Sequence, residues 1–343
     1  MTKNIVISGE TLTGKTLVAL GLAKYLSKKG KRVGYFKPIG EINDDDAHVM
    51  KQILSLKSDI NSLMPIARTK TSFDEFLKVG RETLLERIHG AYTEVSENND
   101  YMIIEGTAAP WHLLHIGLST PQIAKELGAS VICLVNFPDE IAIDDILILK
   151  ALFNYYQIED ISIILNLVPP MLKTVINDKI QPYIESKGMK FLGTIYRTRE
   201  LFSPNIREIA KALDGEMVVG EDKLELLIDQ FMVGSMAPEN ALKWFRRAKD
   251  KAVITSGDRS DICLTALETD TNLLILTGGI GPDIRTLARA REVGVPIMMT
   301  AHDTYTTGTI VDSLIGSVNP DNLEKVPIIE QIILEAIDFS KIE

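Results

Sequence analysis

Cysteine is scarce in this chain of 343 residues, and the basic surplus typical of nucleic-acid-binding proteins is missing. The two cysteines, Cys133 and Cys263, lie far apart, each inside an apolar run typical of a strand. We therefore expect core thiols of a reduced protein, not a disulfide or a metal pair. Acidic residues outnumber basic residues by 47 to 37, which gives a formal net charge of −10. This balance argues against a nucleic-acid partner.

Long hydrophobic runs are also missing, since no segment approaches the ~18 apolar residues of a membrane span. The chain enters a strand-like run almost at once, so we expect no signal peptide. These features predict a cytoplasmic protein without a membrane partner. Hydrophobic residues make up 45% of the sequence and charged residues 24%, which is typical of a globular protein. At about 150 residues per domain, the length predicts two domains.

The most informative motif is G-x-x-x-x-G-K-[ST], which residues 9–16 match at every fixed position. It follows an apolar run at 4–8 and precedes a helical pattern, the order that a phosphate-binding P-loop requires. Glycines let backbone N–H groups face phosphate oxygens, and the helix N-terminus adds partial positive charge. An ordinary glycine turn is the alternative. We predict nucleoside triphosphate binding through Gly9, Glu10, Thr11, Leu12, Thr13, Gly14, Lys15 and Thr16.

Charged residues follow the P-loop helix at two places. A second strand is predicted over 31–39, and Lys37 lies near its end, where ligands of open α/β sheets gather. Lys37 is therefore either a second cation for the phosphates or a solvated lysine at a strand end. Three carboxylates at 44–46 open a predicted helix. They either cap this helix or supply a Mg²⁺ ligand, for which Asp46 is the candidate.

Two further strand ends carry polar residues. Glu105 closes the apolar strand predicted at 101–106, the position of an acid that holds Mg²⁺ in P-loop enzymes. An unpaired acid is rarely buried, so a functional role is favoured over packing. Asn166 ends a later strand at 161–166 and could contact a nucleobase or cap a turn before two prolines. The sequence does not decide between these two roles for Asn166.

Strand-like and helix-like segments alternate along the rest of the first 213 residues. Residues 55–72 read as irregular, a single helix is predicted over 72–97, and further strands and helices follow to 213. Strands separated by helices of this length predict parallel β-α-β units. The predicted fold class is α/β, with a P-loop-type parallel sheet flanked by helices.

A composition break near 214 suggests a second, smaller α/β domain over 214–343, after a P-loop domain over 1–213. Helices are predicted at 222–231 and 238–248, and a final helix at 305–314. Polar loops after three strands, at 257–261, 276–283 and 302–307, should share one sheet edge and suit a small ligand. Helix capping by Asp, Ser and Thr together with glycine turns is the simpler interpretation of each loop, and it is favoured loop by loop. His112 and His115 have no nearby acid or cysteine partner in the sequence and are left out of the site.

The first ~215 residues resemble the dethiobiotin synthetase-like branch of P-loop proteins, which includes cobyrinic acid diamide synthases. The resemblance is strongest to the domain at the N-terminal end of some bacterial phosphotransacetylases. Residues ~215–320 are similar to the DRTGG domain, whose name motif reads Gly-Asp-Arg-Ser-Asp at 257–261. The segments that carry the first resemblance are 9–16, 34–39, 44–46, 104–107, 192–195 and 199–201.

The resemblance implies ATP and Mg²⁺ as cofactors and phosphoryl transfer as the chemistry. Lys15 and Lys37 would stabilise charge on the transferred group, while Thr16, an acid from 44–46 and Glu105 would hold Mg²⁺. The catalytic candidates are thus Lys15, Lys37 and Glu105, and the metal candidates Thr16, Asp46 and Glu105. Glu41 and Trp111 depart from the family pattern where an anionic substrate should enter, which argues against dethiobiotin synthesis.

Two functions are consistent with these features. The first is an ATPase or an ATP-dependent ligase that activates an unidentified carboxylate, with the DRTGG domain as a regulatory or dimerising part. The second is a nucleotide-sensing module with little turnover, linked to acyl-phosphate or coenzyme A metabolism. The expected partners are a nucleotide, a small acceptor, a ligand of the DRTGG domain and a second copy of the chain.

Overall fold

Six parallel strands form the main sheet in the computed structural model, which describes residues 2–11, 13–42, 46–69, 72–199, 203–314 and 326–342. A separate parallel pair, β3 and β4, lies outside this sheet. The first eight strands are β1 (Lys3–Gly9), β2 (Val33–Phe36), β3 (Ile39–Glu41), β4 (Ile66–Arg68), β5 (Tyr101–Glu105), β6 (Ser130–Asn136), β7 (Ile161–Val168) and β8 (Lys190–Tyr196).

The spatial order of the main sheet is β2-β5-β1-β6-β7-β8, with β1 in the interior. From β1 the chain passes outward to β2, whereas β6 pairs with β1 on the opposite side. The order of the strands therefore reverses at β1. In open α/β sheets such a reversal creates a crevice at the carboxyl ends of the strands, and the P-loop follows β1 at this point.

Helices connect these strands and cover the sheet. Apolar residues of β1 such as Ile5 and Ile7 are fully buried, as expected for a parallel strand covered on both faces. The helices are α1 (Lys15–Lys28), α2 (Asp46–Ile53), α3 (Ile60–Leu63), α4 (Ser72–Val79), α5 (Arg81–Ser96), α6 (Thr120–Glu126), α7 (Ile143–Tyr155), α8 (Lys173–Val175) and α9 (Gln181–Ser186). A π-helical turn, Ile176–Ile180, joins α8 to α9.

Local structure differs from the sequence prediction at three places. The single helix expected over 72–97 is interrupted at Gly80, whose φ of 82° and ψ of 154° end α4 before α5 begins. The segment expected to be irregular contains α3 and β4. The strand expected over 31–39 is divided into β2 and β3, because Pro38 has no N–H group to continue the ladder.

A second sheet contains five strands among the described residues, in the order β10-β11-β12-β13-β9. Strands β10 to β13 are parallel, and β9 pairs antiparallel with β13. The strands are β9 (Glu216–Val219), β10 (Gln230–Val233), β11 (Lys251–Ser256), β12 (Thr271–Thr277) and β13 (Ile297–Met299). The helices of this region are α10 (Ile206–Ala212), α11 (Pro238–Phe245), α12 (Ser260–Leu267), α13 (Ile284–Val293) and α14 (Thr304–Ser313).

The helix predicted over 222–231 is wrong. A short 3₁₀ turn, Glu221–Lys223, is followed by the edge strand β10, which pairs with β11 from Gln230 to Val233. The leucine-rich run before β10 has a helical spacing, but pairing with the sheet determines the final conformation. Tertiary context commonly overrides such local patterns.

The last helix, α15 (Val326–Ala336), was not predicted. It belongs to the first unit and not to the unit that contains the second sheet. The chain divides into one unit of residues 1–197 with 318–343 and a second unit of residues 198–317. The predicted boundary at 213/214, with all later residues in the second domain, does not match this division. The C-terminal segment packs on α1 and β8, so the second unit is an insertion in the first.

Within the residues that the structure describes, no helix is both long and apolar enough to cross a membrane.

Candidate nucleotide-binding site

The P-loop joins the end of β1 to the start of α1. Gly14 adopts a left-handed conformation (φ 78°, ψ 28°) immediately before the helix, and a side chain there would be strained. A Cβ atom at Gly9 would lie 2.5 Å from Thr13 Oγ1 and 2.9 Å from the Leu134 carbonyl oxygen. Both glycines are therefore required by the backbone. Leu12 lies outside the described residues.

Lys15 is the first residue of α1, and its ammonium group folds back over the loop. Its Nζ donates to the carbonyl oxygens of Glu10, at 2.7 Å, and Gly9, at 3.1 Å. The side chain is nearly buried, with 9% exposed. The cation of the loop is thus held beside the N-terminus of α1, where the backbone N–H groups of the first turn and the helix dipole favour an anion.

Asn166 lies next to the P-loop and forms a hydrogen bond with its backbone. Its amide nitrogen donates to the carbonyl oxygen of Thr13 at 2.8 Å, and the residue is 1% exposed. This contact matches neither of the predicted possibilities, a nucleobase contact or a turn cap. The same nitrogen carries a second N–H, and Oδ1 has no hydrogen-bond partner among the described residues, so the nucleobase contact stays a prediction.

Glu105 ends β5 and is 1% exposed, but both of its oxygens accept hydrogen bonds. The Thr16 hydroxyl donates to Oε1 at 3.2 Å, and Lys37 Nζ donates to the same oxygen at 3.3 Å. The Tyr35 hydroxyl donates to Oε2 at 2.8 Å. Strand pairing explains the meeting of these groups, since β5 lies between β1 and β2 in the sheet.

Lys37 links Glu105 to Asp46, the first residue of α2. Its Nζ lies 2.5 Å from Asp46 Oδ2, and only 6% of its side chain is exposed. The alternative of a solvated lysine at a strand end is therefore wrong: Lys37 is enclosed between two carboxylates. Asp44 and Asp45 lie outside the described residues, so Asp46 alone of the predicted acidic run can be placed.

The pKa values of Glu105 and Asp46 are shifted in opposite directions. Burial raises the pKa of Glu105 to about 7, because the positive charge of Lys37 does not fully offset desolvation and Asp46 adds a like charge. Burial also disfavours the charged form of Asp46. The charge of Lys37 and hydrogen bonds with Lys37, Glu105 and Thr16 outweigh this effect, so the pKa of Asp46 is lowered.

A second polar group lies on the separate pair of strands β3 and β4. Glu41 and Arg68 occupy paired positions on β3 and β4, and Arg68 Nη2 donates to Glu41 Oε1 at 2.7 Å. The carboxylate that departs from the family pattern is therefore neutralised by an arginine. Trp111, the other departure, is 42% exposed.

His112, which is not among the predicted site residues, lies close to these charges. Burial lowers the pKa of His112, as do the positive charges of Arg68 and Lys15. Its Nδ1 is enclosed without a hydrogen-bond partner among the described residues. No motif marks this histidine, and only the folded loop after β5 brings it beside the site.

In the second unit, charged side chains of the predicted polar loops bond to residues that are close to them in the sequence. Asp283 Oδ1 accepts from the Thr286 backbone N–H at 2.8 Å, and Asp303 Oδ1 accepts from the N–H groups of Tyr305 and Thr306. Arg259 forms an ion pair with Asp261 at 3.0 Å. The aspartates thus cap α13 and α14, as the simpler interpretation of these loops predicted.

The fold and the P-loop define the class of the first unit: it is a nucleotide-binding α/β domain of the P-loop type. A family of AAA domains matches residues 3–205, and the DRTGG domain family matches residues 208–314. Because the first match spans more than half of the sequence, the chain belongs to this AAA domain family, and it also carries a DRTGG domain. The expected family resemblance is confirmed.

Among curated proteins, the phosphate acetyltransferase of Synechocystis is 26% identical over 366 residues, covering 100% of this chain and 51% of the relative. The ATP-dependent dethiobiotin synthetase BioD of Methanocaldococcus jannaschii is 26% identical, covering 60% of this chain and 100% of the relative. A solved structure of the CBS and DRTGG domains of Clostridium perfringens pyrophosphatase, complexed with diadenosine tetraphosphate, is 27% identical over 35% of this chain, with a TM-score of 0.30. This chain spans about half the length of the phosphate acetyltransferases that it matches.

Proposed function

We propose that the first unit binds ATP with Mg²⁺ and uses the terminal phosphoryl group in an ATPase or carboxylate-activating reaction, regulated by the DRTGG domain. The observation that carries this proposal is the continuous set of contacts from Thr16 through Glu105 to Lys37 and Asp46. Two lysines and two carboxylates meet beside the P-loop, where packing alone gives no reason to bury them.

The donor set suits Mg²⁺ in the presence of phosphates. The Thr16 hydroxyl and the carboxylates of Asp46 and Glu105 are hard oxygen donors. The described residues contain no cluster of three or more His, Cys, Asp or Glu side chains that could hold a metal. This limited set agrees with the usual binding of Mg²⁺ through one or two carboxylates together with substrate phosphates.

Each side chain has a distinct task in this proposal. Lys15 and the N–H groups at the start of α1 hold the phosphates, and Lys37 supplies a second positive charge where negative charge develops. Thr16, Asp46 and Glu105 hold the metal ion, which neutralises phosphate charge and orients the terminal group. The protein thus provides positioning and electrostatic stabilisation.

We propose that the acceptor is a small molecule that enters beside Arg68, Glu41 and His112. Arg68 and Glu41 present both signs of charge, and His112 has its pKa lowered, so it is neutral at pH 7. The single carboxylate at position 41 does not exclude an anionic acceptor, because Arg68 pairs with it. The acceptor therefore has to be found by screening.

A second candidate, a nucleotide sensor linked to acyl-phosphate or coenzyme A metabolism, is favoured by the full-length match to half of a phosphate acetyltransferase. In this role the first unit would bind ATP without appreciable turnover. The DRTGG domain would bind its own small ligand, and two copies of the chain would associate.

The test is calorimetry of ATP-Mg²⁺ binding by the wild type and by Lys15→Ala, with turnover assayed on the same samples. Loss of the phosphate-binding cation should weaken binding or slow turnover by more than about ten-fold, or about 1.4 kcal/mol. Lys57→Ala, which changes an exposed lysine of the same unit, is the control and should behave as the wild type.

The outcomes separate the two candidates. Binding with hydrolysis, both impaired in Lys15→Ala, supports an enzyme and justifies the acceptor screen. Binding without hydrolysis supports a sensor. If the wild type binds no ATP, the proposed function of the first unit is wrong.

A further inference from the structure

Tyr35 is a fully buried side chain that ends on the candidate metal ligand. It is 0% exposed, and its hydroxyl donates to Glu105 Oε2 at 2.8 Å. The other oxygen of the carboxylate, Oε1, receives the hydrogen bonds of Thr16 and Lys37. The two oxygens of Glu105 therefore have different partners, and Tyr35 occupies the side away from Thr16.

Strand register places Tyr35 in this position. β2 pairs with β5 so that Tyr35 lies opposite Ile103 and Phe36 opposite Ile104. Successive side chains of a strand point to opposite faces. Phe36 packs against the ring of Tyr92, with centroids 5.7 Å apart. Tyr35 therefore extends from the other face of the sheet, where α1 brings Thr16 to Glu105.

The hydroxyl is the part of Tyr35 that matters for the site. The terminal torsion of a glutamate has a broad, two-fold energy profile, so burial alone does not fix the plane of its carboxylate. A donor on Oε2 holds that plane and leaves Oε1 toward Thr16. A phenylalanine would fill the same core volume but could not hold the carboxylate.

We propose that Tyr35 is the positioning residue for Glu105, which it orients for Mg²⁺ binding next to the P-loop. This inference rests on the proposed function, since it assigns Glu105 to the metal. A purely structural role for Tyr35 would require only the aromatic ring, and Tyr35→Phe tests this difference. Tyr92→Phe is the matched control, because the Tyr92 hydroxyl also donates within the first unit, to Asn4 Oδ1 at 2.6 Å.

The first measurement is ATP affinity of the full chain in EDTA and in excess Mg²⁺. For Tyr35→Phe we expect the enhancement by Mg²⁺ to fall about five-fold or more, while the metal-free affinity changes by less than about two-fold. Tyr92→Phe should retain the wild-type enhancement. An unchanged enhancement in Tyr35→Phe, or an equal loss with and without metal, would overturn the inference while leaving ATP binding intact.

The second measurement does not need a nucleotide. Unfolding equilibrium constants of the wild type, Tyr35→Phe, Glu105→Leu, which has no acceptor, and the double variant form a double-mutant cycle. We expect coupling of about ten-fold in the equilibrium constant, or about 1.4 kcal/mol, and additive effects when Tyr92→Phe replaces Tyr35→Phe. Zero coupling would overturn the inference. Clear coupling in a wild type that binds no ATP would contradict the proposed function and the metal role, but not the contact.

Discussion

Glu105 shows how burial of one residue in the candidate site affects the free energy of unfolding of the protein. The carboxyl group is almost completely buried, and its pKa is raised to about 7 because desolvation exceeds the attraction of Lys37. A folded pKa above the unfolded value of 4.5 means that the folded state binds more protons between these two pH values. The free energy of unfolding therefore falls as the pH rises from 4.5 to 7, and the full cost remains above pH 7.

Glu105→Gln should therefore remove this dependence of stability on pH. The amide keeps the shape of the side chain but carries no charge, so the difference in unfolding free energy between variant and wild type should increase from pH 5 to pH 8. The increase should be of the order of 3 kcal/mol. Chemical denaturation at several pH values measures it. A difference that is independent of pH would show that Glu105 does not titrate in this range.

Single residues differ in how far the sequence reveals their roles. The places of Lys15 and Thr16 follow from the motif, and the place of Glu105 follows from the strand before it. The hydrogen-bond partners of Asn166 and Tyr35 do not follow from any sequence pattern, because each contact joins residues more than 65 positions apart in the sequence. Glu41 gave a misleading signal, since its pairing with Arg68 depends on a small sheet that the sequence did not predict.

At the scale of elements, α1 connects the P-loop to the C-terminal helix. Ile333 of α15 is fully buried, and a Cβ atom at Gly21 would lie 2.1 Å from its Cγ2 atom. Gly21 therefore permits the two helices to approach closely. Glycine normally destabilises a helix interior, so its presence here is explained by the contact.

Gly21→Ala should lower the stability of the first unit by about 1–3 kcal/mol, because the added methyl group overpacks the contact with Ile333. Gly90→Ala is the matched control: Gly90 lies within α5, and no atom approaches within 4 Å of its Cβ position. This control should stabilise by about 0.5–1 kcal/mol. Urea unfolding followed by Trp111 fluorescence in a Trp244→Phe background reports on the first unit. Equal effects of the two alanines would contradict the proposed close contact.

Helices and strands were predictable where the hydrophobic periodicity agreed with the turn and helix-breaking residues at the ends of the segments. The alternation of strands and helices gave the parallel sheet, because each buried strand is an apolar run and each helix has an apolar face. Prediction failed where long-range pairing decided the outcome, as in β10, and at Gly80, which has a positive φ inside a continuous helical pattern.

For the whole molecule, the path of the chain is the main difference from the prediction. The second unit begins directly after β8, and the C-terminal segment returns to the same strand, where Gly193 and Ile337 form a β-bridge. Asp338 N–H donates to the Leu192 carbonyl oxygen at 2.8 Å. The first domain was predicted to end at 213 because of the composition break near 214. Nothing in the last 20 residues of the sequence indicates that they return to β8.

Residues 326–342 are therefore expected to be part of the folding unit that binds the nucleotide. Removing residues 326–343 takes several buried side chains away from α1 and β8, and each loss of this kind costs about 1.5–3 kcal/mol. The buried side chains are Ile329, Ile333, Ile337, Phe339 and Ile342. The Trp111 transition should shift to much lower urea concentration. The transition of Trp244, measured in a Trp111→Phe background, should remain.

Glu330→Gln separates apolar packing from charge in this segment. It removes the ion pair with Lys28, whose side chain is 66% exposed, and exposed pairs contribute less than about 1 kcal/mol. We therefore expect the Trp111 transition of this variant to remain near the wild-type position. If the truncated chain unfolds as the wild type does, the C-terminal segment is not part of the first unit in solution. If Glu330→Gln reproduces the truncation, charge and not apolar burial holds the segment on α1.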